Sequence, residues 1–318
     1  MAGSVYVLTG GTGTLGTILT KTLLAQGHFV RALARNEQGH LKLIQSIPQE
    51  HAPRLSNFVG DVRDKERLER AFAGADYCIH AAAMKVIPLC AYNPADSIKT
   101  NVLGCMNVVN ACLDNGIKRA VFVSSDKACH PSTLYGAQKL VAEQLWLASN
   151  RYCGAAGGIF TVVRYGNVFG SNGSILTTFK NQAERGEVTL TDERCTRFHL
   201  KLDHAVELVL QALHKLTPGE LLIPKLPSYR LLDIVDVIAP KAKRTVIGLR
   251  ATEKIHESMI SEDESEWSQD MGRDAHFIIN PNKHIGKRFD YNSGSNTWFL
   301  SKADLEKDYH EWLSARSS

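Results

Sequence analysis

The run VYVLTGGTGTLG, Val5 to Gly16, constrains this chain more than any other stretch. A short apolar segment reads as a buried strand, a glycine-rich turn follows, and an amphipathic stretch (15–26) opens directly behind it. Glycines in such a turn let the backbone approach a pyrophosphate, and the helix behind offers unpaired N–H groups and the positive end of a dipole. The glycines at 10, 13 and 16 are spaced GxxGxxG, and Gly11, Gly13 and Gly16 also satisfy GxGxxG. Alone, such a string could be a structural turn. Its strand–turn–helix setting points to a dinucleotide cradle formed by Gly10, Thr12, Gly13, Thr14, Leu15 and Gly16.

The rest of the first half repeats the pattern. Apolar runs at 29–34, 57–60, 77–83, 120–125 and 160–167 read as strands, separated by helical periodicity at 65–72 and 95–114. Strands alternating with helices imply right-handed βαβ units. The expected fold is therefore α/β, a doubly wound parallel Rossmann sheet with a smaller C-terminal substrate-binding region. Residues 1–170 would form the dinucleotide domain, with returning elements at about 196–240, and 171–195 with 241–318 the substrate region. Helices are expected at 203–216, 231–239 and 302–315, and the acidic run Ser261–Asp274 as a surface loop.

The second strand sharpens the cofactor. An NAD site usually places Asp or Glu at its end, against the ribose 2′-hydroxyl. Here Arg35 stands at that place, and a guanidinium suits a 2′-phosphate, so NADP is expected over NAD. Arg35 could also be an ordinary surface arginine. Asp61 and Val62 should lie near the adenine, and Ala81, Ala82 and Ala83 are small enough for close passage of the cofactor.

Composition excludes other classes. With 44% hydrophobic and 22% charged residues the chain is an ordinary globular protein, and its formal charge of +4 is too small for a nucleic-acid surface. The seven cysteines form no CxxC pair, which fits a reducing, cytoplasmic setting. Cys129, His130, Cys195, His199 and His204 match no zinc spacing, so no metal is expected. No signal peptide or membrane span is visible.

Several further segments carry a resemblance: HAAAMK (80–85), YNPADSIKTNVLG (92–104), SSDKACHPSTLYGAQK (124–139), VRYGNVFGSNGS (163–174), TDERCTRF (191–198) and EKIHESMISEDES (253–265). With the glycine turn, the chain resembles the extended short-chain dehydrogenase/reductases acting on nucleotide sugars. It is closer still to the inverting UDP-N-acetylglucosamine 4,6-dehydratases that start pseudaminic acid synthesis. It departs from them at Arg250-Ala251-Thr252-Glu253, where the family often has a glycine. It departs again at Cys129-His130, which replace a small apolar residue and Asn.

Tyr135 and Lys139 are i and i+4, so a helix puts them on one face. A nearby ammonium favours the phenolate, which can take a sugar hydroxyl proton while NADP⁺ takes the hydride. Ser125 could hydrogen-bond that hydroxyl. Oxidation alone leaves Asp126 and Lys127 unexplained. A ketone at carbon 4 makes the carbon 5 proton acidic, and eliminating the carbon 6 hydroxyl then needs one more base and one more acid. The resemblance implies that Lys127 is that base and Asp126 that acid. A lysine can serve so only if burial or nearby cations, such as Lys139, lower its proton affinity. Reprotonation of carbon 5 from the opposite face would give UDP-2-acetamido-2,6-dideoxy-L-arabino-hex-4-ulose.

Arg197 and Arg250 are candidate diphosphate clamps, Asn167 could hold diphosphate or sugar, and Glu253 could accept ribose hydroxyls. Lys85 and Asn101 could line the same cleft or be structural. A UDP-sugar substrate and a homo-oligomer are the expected partners. The competing readings are a UDP-sugar 4-epimerase, a 5,6-dehydratase, and a non-catalytic NADP-binding protein on this fold.

Overall fold

A computed structural model describes residues 3–154, 157–171, 173–272 and 276–317. Nine strands form the main sheet: β1 (Val5–Thr9), β2 (Phe29–Ala34), β3 (Leu55–Val59), β4 (Tyr77–His80), β5 (Arg119–Val123), β6 (Ile159–Val163), β7 (Leu221–Pro224), β8 (Ser268–Asp270) and β9 (His276–Ile279). Their order is β8-β9-β7-β6-β5-β4-β1-β2-β3. All pairs from β7 to β3 are parallel, and β8 and β9 add an antiparallel edge. The central strands are near-continuous apolar runs buried on both faces, as parallel strands require. Chain order reverses between β1 and β4, and ligand clefts open beyond the carboxyl ends of strands at such a switch.

The expected helices form, including Lys65–Phe72 with the bounds read from its periodicity. The stretch read as one helix over 95–114 is divided. Pro94–Ile98 and Gly104–Asp114 are joined by a π-helical turn, Lys99–Leu103. Several strands end earlier than their apolar runs: β3 stops at Val59, β4 at His80, β5 at Val123 and β6 at Val163, so Gly60, Ala81–Ala83, Ser124–Ser125 and Gly166–Asn167 leave the sheet to line the cleft.

A second, smaller core gathers Leu176, Phe179, Val188, Leu190, Tyr229, Ile234, Val235 and Leu305. The division at about 240 therefore needs correction. The Leu231–Ile238 helix belongs to the second core, whereas β8 and β9, from the region expected to be substrate-binding, extend the main sheet. The acidic run also differs from the loop expected of it. Ser261 caps a helical turn (Glu262–Ser265) with a reciprocal capping box, and β8 follows. Ser265 and Ser268 are buried; Asp274 lies outside the described residues. Its anchor is Arg164, 1% exposed, whose guanidinium pairs with Glu143 at 2.6 Å and Glu264 at 2.7 Å and donates to Met259 O. No helix among the described residues is long and apolar enough to cross a membrane.

Candidate active site

A cleft of about 1100 Å³ runs along the carboxyl ends of the strands. At one end stands the glycine turn. Gly10 takes φ +75°, and a Cβ there would sit 2.9 Å from Ala82 N. A Cβ on Gly16 would lie 2.3 Å from Gly10 O, so only glycine lets the first helix lie this close to the turn. Gly13 caps that helix, and the next backbone units open into the cleft. This cradle fits a dinucleotide pyrophosphate. Thr12, Thr14, Leu15, Arg35, Asp61, Val62 and Ala81–Ala83 all line the same wall. The Arg35 guanidinium stands 3.8 Å from the Asp61 carboxylate, which Arg63 also binds. A cation and an anion thus share the adenosine end.

The segment SSDKACHPSTLYGAQK (124–139) lies in mid-cleft. Beyond β5, Ser125 caps a tight turn (Asp126–Ala128): its hydroxyl accepts from Lys127 N and donates to Asp126 Oδ1 at 2.8 Å. The Leu134–Ala148 helix begins at Thr133, whose side chain accepts from Gly136 N. A Cβ on Gly136 would lie 2.2 Å from Lys127 O, so this glycine lets the helix press against the turn. Tyr135 and Lys139 share its buried face, as their spacing predicts.

The electrostatics depart from expectation in three ways. First, Lys139 donates to Val123 O at 2.8 Å and lies over the Phe122 ring, with burial pulling its pKa down to about 8. The cation facing the Tyr135 phenol is Lys127 instead. Burial pushes that phenol up to about 12, against the pull of Lys127 and of the Ser125 hydroxyl. Second, Lys127 does not have a lowered proton affinity. Burial acts to lower it, but Asp126 Oδ1 at 3.2 Å and Glu257 Oε1 at 3.4 Å outweigh that and hold Nζ as an ammonium. Third, Asp126 stands just behind the cleft wall at 1% exposure. Burial raises its carboxyl against the opposing pull of Lys127. It reaches the cleft through Ser125 and Lys127, both of which line it.

Asn167 lines the cleft and accepts from Lys127 Nζ at 3.4 Å. Lys85, Arg250 and Glu253 also line it; Glu253 takes the Thr191 hydroxyl at 3.0 Å. Arg197 lines it too but is 7% exposed, donating to Thr196 O and Ile255 O and pairing with Glu253 and Glu257. Part of its guanidinium is therefore committed to protein. Asn101 does not reach the cleft. In the π-helical turn its amide holds Met84 through N and O and donates to Gln138, so it is structural.

Reading the sequence missed Glu257. It is 5% exposed, lines the cleft, and joins Lys127 to Arg197. It lies on a strap that crosses the segment behind the Asp126–Ala128 turn: Thr252 O accepts from Ser132, and Lys254 Nζ donates to Cys129 O at 2.8 Å. Its segment, EKIHESM, carried part of the resemblance, which was the available signal.

Residues 6–279 match the model of a family described as polysaccharide biosynthesis protein. The chain belongs to this family. Among curated relatives of this family member, the UDP-N-acetylglucosamine 4,6-dehydratase (inverting) of Campylobacter jejuni is 39% identical, over 94% of this chain and 95% of its own length. The UDP-glucose 4-epimerase of Rickettsia akari is 31% identical over 95% and 94%. The X-ray structure of Pen from Bacillus thuringiensis superposes with a TM-score of 0.91 at 32% identity, covering 97% of both chains. The extended short-chain dehydrogenase/reductase resemblance is thereby borne out.

Proposed function

We propose that the chain is an NADP-dependent, inverting UDP-N-acetylglucosamine 4,6-dehydratase. The observation that carries this reading is the Asp126–Lys127 pair, set beside Ser125 and Tyr135 in the cleft that holds the dinucleotide cradle. An epimerase would leave that pair idle. The 39% identity to an inverting dehydratase supports the same choice. Arg35 favours NADP, and Arg250 with the open part of Arg197 suits the UDP diphosphate.

A nicotinamide dinucleotide held by the Gly10–Gly16 cradle would supply the hydride chemistry, oxidation at carbon 4 and reduction at carbon 6. Tyr135 removes the carbon 4 hydroxyl proton, with Lys127 stabilising the phenolate. For elimination, Lys127 hands one proton to Asp126 across their 3.2 Å contact, leaving a neutral amine beside a neutral acid. The amine takes the carbon 5 proton. Asp126 gives its proton through the Ser125 hydroxyl to the departing carbon 6 oxygen, which leaves as water. The pair ends as ammonium and carboxylate, as it began, so no outside acid or base is consumed. As carbon 6 takes hydride, carbon 5 regains a proton from the opposite face; the proton Tyr135 took from the carbon 4 hydroxyl balances it, which restores the phenolate and leaves the 4-keto-6-deoxy L-arabino sugar.

The test is incubation with NADP⁺ and UDP-N-acetylglucosamine. Loss of one water by mass spectrometry and a carbon 6 methyl group by proton NMR are expected. An isomer of unchanged mass would establish an epimerase, a vinylidene signal a 5,6-dehydratase, and no turnover a binding protein.

A further inference from the structure

The elimination scheme leaves one buried carboxylate at the site without a role. Glu257 sits on the strap, and its backbone is fixed on both sides: its N–H donates to Ser293 Oγ at 3.0 Å, and its carbonyl accepts from Ser293 N at 2.8 Å. Its Oε1 lies 3.4 Å from Lys127 Nζ and 3.7 Å from Arg197 Nε. Its Oε2 is buried with no hydrogen-bond partner among the described residues. A buried carboxylate persists only where cations repay its desolvation. Lys127, Arg197 and Lys254 hold it ionised. The ionisable groups facing Lys127 are Asp126 and Tyr135 from the catalytic segment, Glu257 from the strap, Arg197 from the Thr196–Phe198 strand, and Tyr229 from the strand beside it.

We infer that Glu257 is a positioning residue, which holds Lys127 Nζ between two carboxylates at the cleft wall and stabilises the ammonium that re-forms as carbon 5 loses its proton. This inference rests on the dehydratase reading. Asp126 alone could fix the side chain, but Asp126 is neutral at the moment the amine takes up the carbon 5 proton. Among the described residues, Glu257 is then the carboxylate left ionised within reach of Nζ. Arg197 links this device to the substrate end of the cleft, since it contacts both Glu253 and Glu257.

Glu257→Gln keeps the shape and removes the charge; Glu257→Asp keeps the charge and shortens the reach. Two readouts separate the possibilities. The first needs no substrate: trace labelling of amines with acetic anhydride across pH, read by mass spectrometry on the peptide containing Lys127. Glu257→Gln should make Lys127 at least about tenfold more reactive at a given pH below its titration, since one unit of proton affinity is a factor of ten. Glu257→Asp should fall between. The second is the rate of water loss from UDP-N-acetylglucosamine. Glu257→Gln should lower kcat at least about tenfold with KM little changed, and should move the alkaline limb of the kcat profile to lower pH. Glu257→Asp should recover part of kcat.

Unchanged labelling and unchanged kcat in Glu257→Gln would overturn the inference. So would equal loss in both variants with unchanged labelling, which would mark a merely structural residue. If labelling shifts as expected but the unsubstituted protein removes no water, Glu257 still positions Lys127 and it is the dehydratase reading that fails.

Discussion

Arg164→Met tests the buried charge cluster that anchors the strap. The guanidinium is 1% exposed and makes paired contacts with Glu143, itself 0% exposed, and with Glu264. Methionine fills much of the volume but leaves the Glu143 carboxylate buried and unpaired. Breaking such a pair costs about 3–5 kcal/mol. A chain of 318 residues unfolding with about 2.1 cal/mol/K per residue has an entropy near 0.67 kcal/mol/K, so the melting temperature should fall by about 4–8 °C. Adding Glu143→Leu removes the stranded charge and should restore most of that loss. Glu264 adds a pH signature. Burial raises its carboxyl, but Arg164 and the Ser261 cap more than offset this, so its folded pKa lies below the ordinary value. A lowered carboxyl contributes stability that is full above its unfolded pKa and is lost as pH falls through its folded pKa. Melting curves between about pH 7 and pH 3 should therefore show a shallower acid loss for Arg164→Met than for the unsubstituted protein. A drop under about 1 °C, or a double variant no more stable than the single one, would refute the view that this cluster is a charge-balanced anchor.

Lys127→Ala should abolish water loss while dinucleotide binding, measured by fluorescence titration, stays within about twofold; normal turnover would remove the basis of the dehydratase assignment. Gly16→Ala should lose dinucleotide binding by at least about tenfold, because its Cβ would lie 2.3 Å from Gly10 O and push helix and turn apart. Arg35→Asp should reverse the preference from NADP toward NAD, read as the ratio of the two binding constants; an unchanged ratio would mean that the 2′-phosphate is held elsewhere. Asn101→Ala should leave kcat near its normal value yet lower stability by about 1–3 kcal/mol, since the partly buried N–H of Met84 loses its acceptor and the buried Gln138 carbonyl oxygen loses a donor.

Local order was legible in the sequence wherever one short segment carries the whole signal. The glycine turn, the alternating strands and the Tyr135–Lys139 face each lie within about one element, and their periodicities survive folding. What stayed hidden is what tertiary contact decides. Glu257 lies far along the chain from Lys127, and nothing near residue 257 announces a partner across the cleft. The run 261–274 looks solvated because it is acidic, yet Arg164, also distant, converts Glu264 into an anchor. The charge state of Lys127 likewise follows from which carboxylates surround it, not from the DKA motif. Asn101 was ambiguous for the same reason: only the fold shows that Met84 and Gln138 occupy its amide.

The strap has a consequence for the order in which a newly made chain acquires its parts. The glycine cradle, the Asp126–Ala128 turn and the Leu134–Ala148 helix all precede residue 150. Glu257 is encoded roughly a hundred residues later, about 5–20 s of further synthesis at ordinary rates. A half-made chain could thus present its glycine cradle to a dinucleotide while Lys127 still has only Asp126 beside it. On the proposed mechanism, the acid–base machinery is complete only once the strap has crossed the turn, so bond-breaking capacity would arrive late in the life of each molecule.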